Sequence, residues 1–362
     1  MLNHRIAQLQ ELMKEANLPS LLITNFYNIL YFSGFRPLSP EEREGYLLVT
    51  LSEVYLLTDG RYLNKELVEK CKSNNMQLLL IEREHPLVYH LQEILTKDKS
   101  GQLGFESEDL TYLEYSHLQE KLPEITLTQT IQLGMRLREI KDMEEIENIK
   151  KACEMGDNCL QEIKSLIRKS VTEKEIAFKI EFWIKEKGYD YSFYPIVACD
   201  KNSALPHYDT RAGDGRLTKN SIILIDMGVK YKDYCSDITR MFFVGTPTDE
   251  QRHAYDVLLN AQKKTFAYVK VGKKGKDIDT YCRSLIDTSL PMYSHSTGHG
   301  VGLEVHEFPK LSAVSNERLK ENHIVTVEPG IYKEGQWGMR IEDLVVVKEN
   351  GVDVLTKFPK EI

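Results

Sequence analysis

The chain has 362 residues, 41% of them hydrophobic, enough to bury a large core in two domains or in one domain with a substantial extension. Its formal net charge of -8, from 55 acidic and 47 basic residues, argues against a general nucleic-acid binder. No apolar run approaches the length that spans a bilayer, and Met1-Leu2-Asn3-His4-Arg5 lacks the apolar core of a signal peptide, so a cytoplasmic protein with no membrane partner is expected.

In chain order, Ile6, Leu9, Met13 and Ala16 share one helical face, and Leu21 to Thr24 reads as a strand. Tyr46 to Leu51 and Val54 to Thr58 read as a hairpin, and Met76 to Ile81 as a further apolar strand. Helical stretches around Tyr62 to Cys71 and Leu87 to Leu95 complete an α/β layer without a catalytic cluster. The charged run Arg136 to Glu145 reads as an exposed linker entering a helix that carries Ile140, Met143, Ile146 and Ile149, which places a domain boundary near Gly134. Thr172 with Glu175, and Thr248 with Gln251, are capping-box signatures that open two later helices, the first ended by Gly188. Strand pairs are predicted at Ile222 to Met227 with Tyr234 to Val244, and at His323 to Glu328 with Met339 to Val347. Helices followed by a hairpin, twice over, hint at two related halves. The basic run at Lys273, Lys274 and Lys276 is broken by Gly275 and reads as a solvated loop. The six cysteines are scattered with no C-x-x-C pair, which fits buried reduced thiols rather than a zinc knuckle.

The two hairpins carry the chemistry. Asp226 lies in an apolar strand, where an unpaired carboxylate costs several kcal/mol or is forced to protonate. Asp237 on the returning strand is expected to face it, and directly opposed side chains lie ~5 Å apart. Glu328, just before the strand-breaking Pro329-Gly330, and Glu342 repeat the arrangement. Adjacent carboxylates repel unless a cation or a shared proton separates them. Between the hairpins runs Ser294-His-Ser-Thr-Gly-His-Gly-Val-Gly-Leu-Glu-Val-His-Glu307, with three of the ten histidines. A phosphate-binding loop would need a Lys after its last glycine, and none follows Gly302. Gly298, Gly300 and Gly302 are better read as space for backbone beside a substrate or metal, with His299 free to approach the ion. His306 is within reach of the same cleft, although a lone histidine is more often structural. Four carboxylates and one imidazole carry a charge of about -4, which balances two divalent ions; Mn²⁺ suits such a set best, with Fe²⁺, Co²⁺ and Zn²⁺ as alternatives.

Asp226-Met-Gly, Ser236-Asp237-Ile-Thr-Arg240, Gly298-His299-Gly300-Val-Gly302, His306-Glu307, Glu328-Pro329-Gly330 and Arg340-Ile-Glu342-Asp343 together resemble the aminopeptidase P and proline dipeptidase branch of the pita-bread metallopeptidases. Asn28-Ile-Leu-Tyr31-Phe-Ser-Gly34 is similar to that branch's N-terminal domain. The resemblance implies an α/β creatinase-like N-terminal domain, residues 1–134, and an α+β pita-bread catalytic domain with pseudo-two-fold halves, residues 135–362. It implies that Asp226, Asp237, His299, Glu328 and Glu342 hold two metal ions, with Asp237 and Glu342 bridging. It also implies that His207 is a substrate-side histidine, that His295 and His306 stand near the scissile peptide, and that Arg340 lies near the centre.

The activity so implied is an Xaa-Pro aminopeptidase working through a metal-bridged hydroxide, with Glu328 taking the proton of the attacking water. The partners are proline-containing peptides, and a homodimer is implied. An Xaa-Pro dipeptidase on the same site is the alternative. His207, Tyr208, His295 and His306 are expected to wall the proline pocket, with Arg340 neutralising a carboxylate beyond it. A methionine aminopeptidase shares the metal centre but usually lacks so large an N-terminal domain. A non-catalytic peptide-binding module or a metal-free creatinase would have lost ligands that this chain keeps.

Overall fold

The computed structural model describes residues 2–361. Two compact units divide the chain, Met1–Arg138 and Glu139–Ile362.

The first unit is built on a six-stranded mixed sheet. Its strands run, in spatial order, Met76–Leu80, Val54–Thr58, Gly45–Thr50, Ser20–Ile23, Gln102–Glu106 and Thr126–Thr130. The hairpin expected from its two apolar runs is present, with Val49 opposite Val54. Helices Leu2–Glu15, Lys65–Ser73 and Leu87–Lys97 lie where periodicity predicts them. The last two strands were not predicted: Thr126–Thr130 is largely polar and only partly buried, so it lacks the apolar signature on which such a prediction rests.

The segment after Gly134 is not an exposed linker. Residues Leu133–Arg138 form a helix, and Arg138 and Lys141 are buried. Arg138 donates to the Asn28 Oδ1 at 2.9 Å, and Lys141 pairs with Glu307 at 3.1 Å. Sequence charge suggested solvent here, but a buried cation is tolerated once a specific acceptor meets it.

The second unit repeats one motif. Helix Met143–Lys164, capped by Asp142, packs with helix Glu173–Glu186 against a sheet of Ile196–Cys199, Ile222–Met227 and Ile238–Phe243. Cys159, Ile176, Ile180, Val197, Ile223, Ile225 and Ile238 form the core between them. Helices Asp249–Tyr268 and Gly275–Ser284 accompany a five-stranded sheet of Glu307–Leu311, Gly298–Gly300, Ile324–Val327, Asp343–Lys348 and Gly351–Val354. Both capping boxes are formed: Thr172 and Thr248 accept from the backbone of Glu175 and Gln251, whose side chains answer the cap nitrogens. Gly188 stands at φ 80 just past its helix, a conformation glycine adopts without a Cβ penalty.

The halves correspond in detail. Ser170 N bonds Leu217 O at 2.8 Å, and Gly272 N bonds Leu319 O at 2.8 Å. Arg216 reaches the Ser170 carbonyl as Arg318 reaches that of Gly272. Each residue of the second set follows its counterpart by the same interval along the chain, and that interval also carries Asp226 onto Glu328. The six cysteines are all free and buried.

Candidate metal centre and substrate cleft

Asp226 enters the site on a strand that is buried along its whole length. The register places Thr239, not Asp237, directly opposite it. Asp237 lies just before the return strand begins, because the excursion Val229–Tyr231 and Tyr234–Cys235 separates the two arms of the hairpin. Side chains at positions 237 and 239 still share one face, since alternation along a strand has period two. In the second hairpin the ladder stops at Val327 opposite Asp343, and Glu328 and Glu342 follow as the next residues inward from each arm. The predicted strand Met339 to Val347 is therefore two strands, Trp337–Arg340 and Asp343–Lys348, broken at Ile341-Glu342.

These four carboxylates and His299 line one cavity of about 490 Å³. The His299 Nε2 lies 3.6 Å from the Asp237 Oδ2 and 3.4 Å from the Glu328 Oε1. Asp237, His299 and Glu342 each offer a ligating atom, all within 4.8 Å of one another. The His299 Nδ1 sits 3.1 Å from the Gly300 carbonyl. A proton on Nδ1 leaves the Nε2 lone pair facing the carboxylates. Thr239 donates to Glu342 at 2.6 Å, and Thr326 donates to Glu328 at 3.2 Å while accepting from the His299 amide.

Gathering four carboxylates in a buried space opposes their ionisation. Burial first, then the charges of Glu342, Asp226 and Glu328, push the Asp237 carboxyl well above the ordinary range. Burial and the neighbouring carboxylates do the same to Glu342, and burial pushes Glu328 up to about 7. Burial, with His306 beside it, pushes His299 down to about 3, so its ring is neutral. The Oδ1 atoms of Asp226 and Asp237 are buried without hydrogen-bond partners. A partnerless buried acceptor costs about 1–3 kcal/mol. Two such oxygens in a cluster of acids and one neutral imidazole are a donor set suited to hard divalent cations.

The remaining site candidates fall into place around this cluster. His207, His295, His306 and Arg340 all line the cavity. The ring of His306 packs edge-on to His299, with centroids 4.4 Å apart. Burial pushes His295 down to about 4, and His306 also below its ordinary value. Arg340 is already committed: it donates to the Asp226 Oδ2 at 2.5 Å, to the Tyr332 hydroxyl at 2.9 Å and to the Thr239 Oγ1 at 3.1 Å. Tyr208 is not in the cavity lining. Its hydroxyl turns instead to Glu173 at 2.9 Å, drawn by a buried carboxylate. The glycines make room for backbone, as expected. A Cβ on Gly298 would meet the Thr326 carbonyl at 2.0 Å, and one on Gly300 the Phe308 carbonyl at 2.1 Å. They admit neighbouring backbone rather than substrate.

Sequence reasoning missed Tyr332, Phe193, Ile196, Val305 and Lys310. The Tyr332 hydroxyl joins Arg340 to the His295 Nε2 at 2.9 Å, and the other four line the cavity. Only Tyr332 carried a signal, two residues past Gly330 at the strand break. Phe193, Ile196 and Val305 are ordinary apolar residues until the fold turns them into the cleft.

The profile of metallopeptidase family M24 matches residues 147–349, and that of the creatinase/prolidase N-terminal domain matches residues 5–140. An Xaa-Pro dipeptidase of Pyrococcus furiosus is 34% identical over 364 residues, covering 100% of both chains. Among solved structures, an Xaa-Pro dipeptidase from Bacillus anthracis superposes with a TM-score of 0.93 at 33% identity, covering 100% of this chain and 99% of that one. An X-Pro aminopeptidase from Thermotoga maritima superposes with a TM-score of 0.87 at 32% identity, covering 98% of this chain and 99% of that one.

Proposed function

Because the chain belongs to metallopeptidase family M24, in its aminopeptidase P and prolidase branch, we propose that this metal-dependent peptidase hydrolyses the bond between an N-terminal residue and proline, with the Xaa-Pro dipeptide as its principal substrate. The observation that carries the reading is the set of five ligand-type side chains in one cavity with His207, His295 and His306. Asp226, Asp237, His299, Glu328 and Glu342 would hold two divalent ions, Mn²⁺ foremost. What such ions supply is polarisation of the scissile carbonyl and acidification of the attacking water.

The chain's own groups do the rest. Glu328 receives the proton of the attacking water and passes it to the departing proline nitrogen. His306, neutral in its buried setting, donates a hydrogen bond to the oxygen that gains charge as the carbonyl becomes tetrahedral. His295, with its Nδ1 3.8 Å from the Glu328 Oε2, orients the substrate beside the acid. Phe193, Ile196 and Val305 offer the apolar faces that a pyrrolidine ring packs against. Arg340, spent on Asp226, fixes that ligand rather than the substrate. Lys310 instead brings a cation to the cavity, and its charge is felt at both His299 and His306. A cation there favours a short substrate with a free carboxylate, which is why the dipeptide is preferred to the aminopeptidase reading.

The test is hydrolysis of an Xaa-Pro dipeptide, an Xaa-Pro-Yaa tripeptide, an Xaa-Ala dipeptide and a Met-Ala peptide with Mn²⁺ added. Proline should exceed alanine in kcat/KM by ~10–200-fold, the worth of one or two buried methylenes. Equal values for proline and alanine overturn the specificity. A faster tripeptide restores the aminopeptidase.

A further inference from the structure

His295 sits on an irregular segment, with no helix or strand between Ser284 and Gly298 to hold it. What holds it is an ion pair on helix Gly275–Ser284. Asp279 is wholly buried, and Arg283, one turn later, pairs with it at 2.8 Å. The Asp279 Oδ1 accepts from the Thr297 amide at 3.1 Å and from the Thr297 hydroxyl at 2.7 Å. Arg283 Nη1 donates to the Tyr293 carbonyl at 2.6 Å, and Nη2 to the His295 carbonyl at 2.6 Å. The Tyr293 hydroxyl closes the circuit on the Thr297 Oγ1 at 2.6 Å. The pair thus grips the backbone on both sides of Ser294 and Ser296. The ring of His295 is held separately, by the Tyr332 hydroxyl. The clamp also reaches the acid cluster, because the Glu328 amide donates to the Thr297 carbonyl at 2.9 Å.

We infer that Asp279 and Arg283 are positioning residues for the reaction, setting His295 against Glu328. The inference rests on reading His295 as a substrate-side group. A buried ion pair gains little net stability over an apolar substitute, and its attested use is to specify one arrangement. Here both partners have several acceptors or donors, as such a role requires. A guanidinium is also the side chain able to serve two carbonyls and a carboxylate at once, through its planar fork.

The experiment is a double-mutant cycle on the metal-loaded enzyme, with kcat, KM, metal content and Tm recorded for each variant. Arg283→Lys keeps a charge for Asp279 but cannot span both carbonyls; Arg283→Gln is the second variant, and Asp279→Asn, the more disruptive change, is held in reserve. Arg283→Gln leaves the buried Asp279 carboxylate without a cation and should lower Tm, whereas Arg283→Lys should hold it near that of the parent; each Arg283 variant should keep its metal. Its kcat should fall roughly 10–100-fold with KM little changed, as for a misplaced orienting group. In a His295→Ala background the same substitution should have little further effect, because the clamp acts through that ring. Losses that multiply in full overturn the clamp and leave the role of His295 standing. A His295→Ala enzyme with unchanged kcat overturns that role, and the clamp with it.

Discussion

The two halves of the catalytic unit share their scaffold and part company in what they hang on it. Asp226 and Glu328 occupy matching places, as do Ser170 and Gly272, and Arg216 and Arg318. The same interval sets Phe193 against His295, Val197 against His299 and Ala177 against Asp279. Each half therefore contributes carboxylates to the cavity proposed to hold the metal. The second half alone adds the His299 imidazole and the Asp279–Arg283 pair, while the first supplies Phe193 and Ile196 to the apolar lining. The first half steadies its cavity-lining histidine by another route: Glu173, wholly buried, accepts from the Cys199 and Gly215 amides, Asn202 and the Tyr208 hydroxyl, and so holds the loop bearing His207. If two cations are held here, as proposed, symmetry serves their cradle well, whereas a peptide has direction and needs unlike walls.

The largest test of the shared cradle is Asp237→Asn. It should lose at least one of about two bound ions per chain and nearly all activity, as metal analysis beside an Xaa-Pro assay would show. Full metal content with full activity would break the idea that both halves contribute ligands. Next comes His306→Ala, which touches only the second half. It should keep its metal while kcat falls roughly 10²-fold, the cost of losing a donor to a developing oxyanion. Metal loss in that variant would move His306 into the cradle.

A smaller effect is expected from Glu173→Gln, which weakens the first half's hold on its loop. Urea unfolding should register about 1–3 kcal/mol, the cost of leaving buried donors poorly met. KM should rise with it if His207 grips substrate.

The last test, silent at neutral pH, concerns a pair that answers one another across the halves. Thr218 N donates to the Ser221 Oγ, and at the matching place Lys320 N donates to the His323 Nδ1. Burial first, then the charges of Lys141 and Lys320, push His323 from 6.5 down to about 3. Above pH 6.5 the ring is neutral folded or unfolded, and this contribution is level. Below it the unfolded chain takes up a proton that the folded one refuses, so stability falls toward pH 3. The slope approaches ~1.4 kcal/mol per pH unit at most. His323→Ser copies the first half and should flatten that slope in urea titrations across the acid range. An unchanged slope would assign the acid sensitivity elsewhere.

Much of this was legible in the residues themselves. Capping boxes at Thr172 and Thr248 mark their helices because their bonds are local, closing within three residues. Asp226 also stands out before any strand is paired, because an acid inside an apolar run is a conflict that only a partner resolves, while the metallopeptidase reading rests on the resemblance of the ordered motifs. Other features are invisible along the chain. The register that sets Thr239 rather than Asp237 opposite Asp226 depends on how far the intervening excursion displaces the return strand. The commitment of Arg340 to Asp226, the turn of Tyr208 toward Glu173, and the grip of Asp279 and Arg283 on the His295 segment join residues far apart in sequence or hidden in an ordinary-looking helix. The sequence determined which side chains were available and marked many of the helices and strands, since propensity and periodicity are local, but the strands Gln102–Glu106 and Thr126–Thr130 escaped it. Only the tertiary structure decided which partners those side chains found, because a buried charge is satisfied by whatever the fold brings within about 3 Å of it.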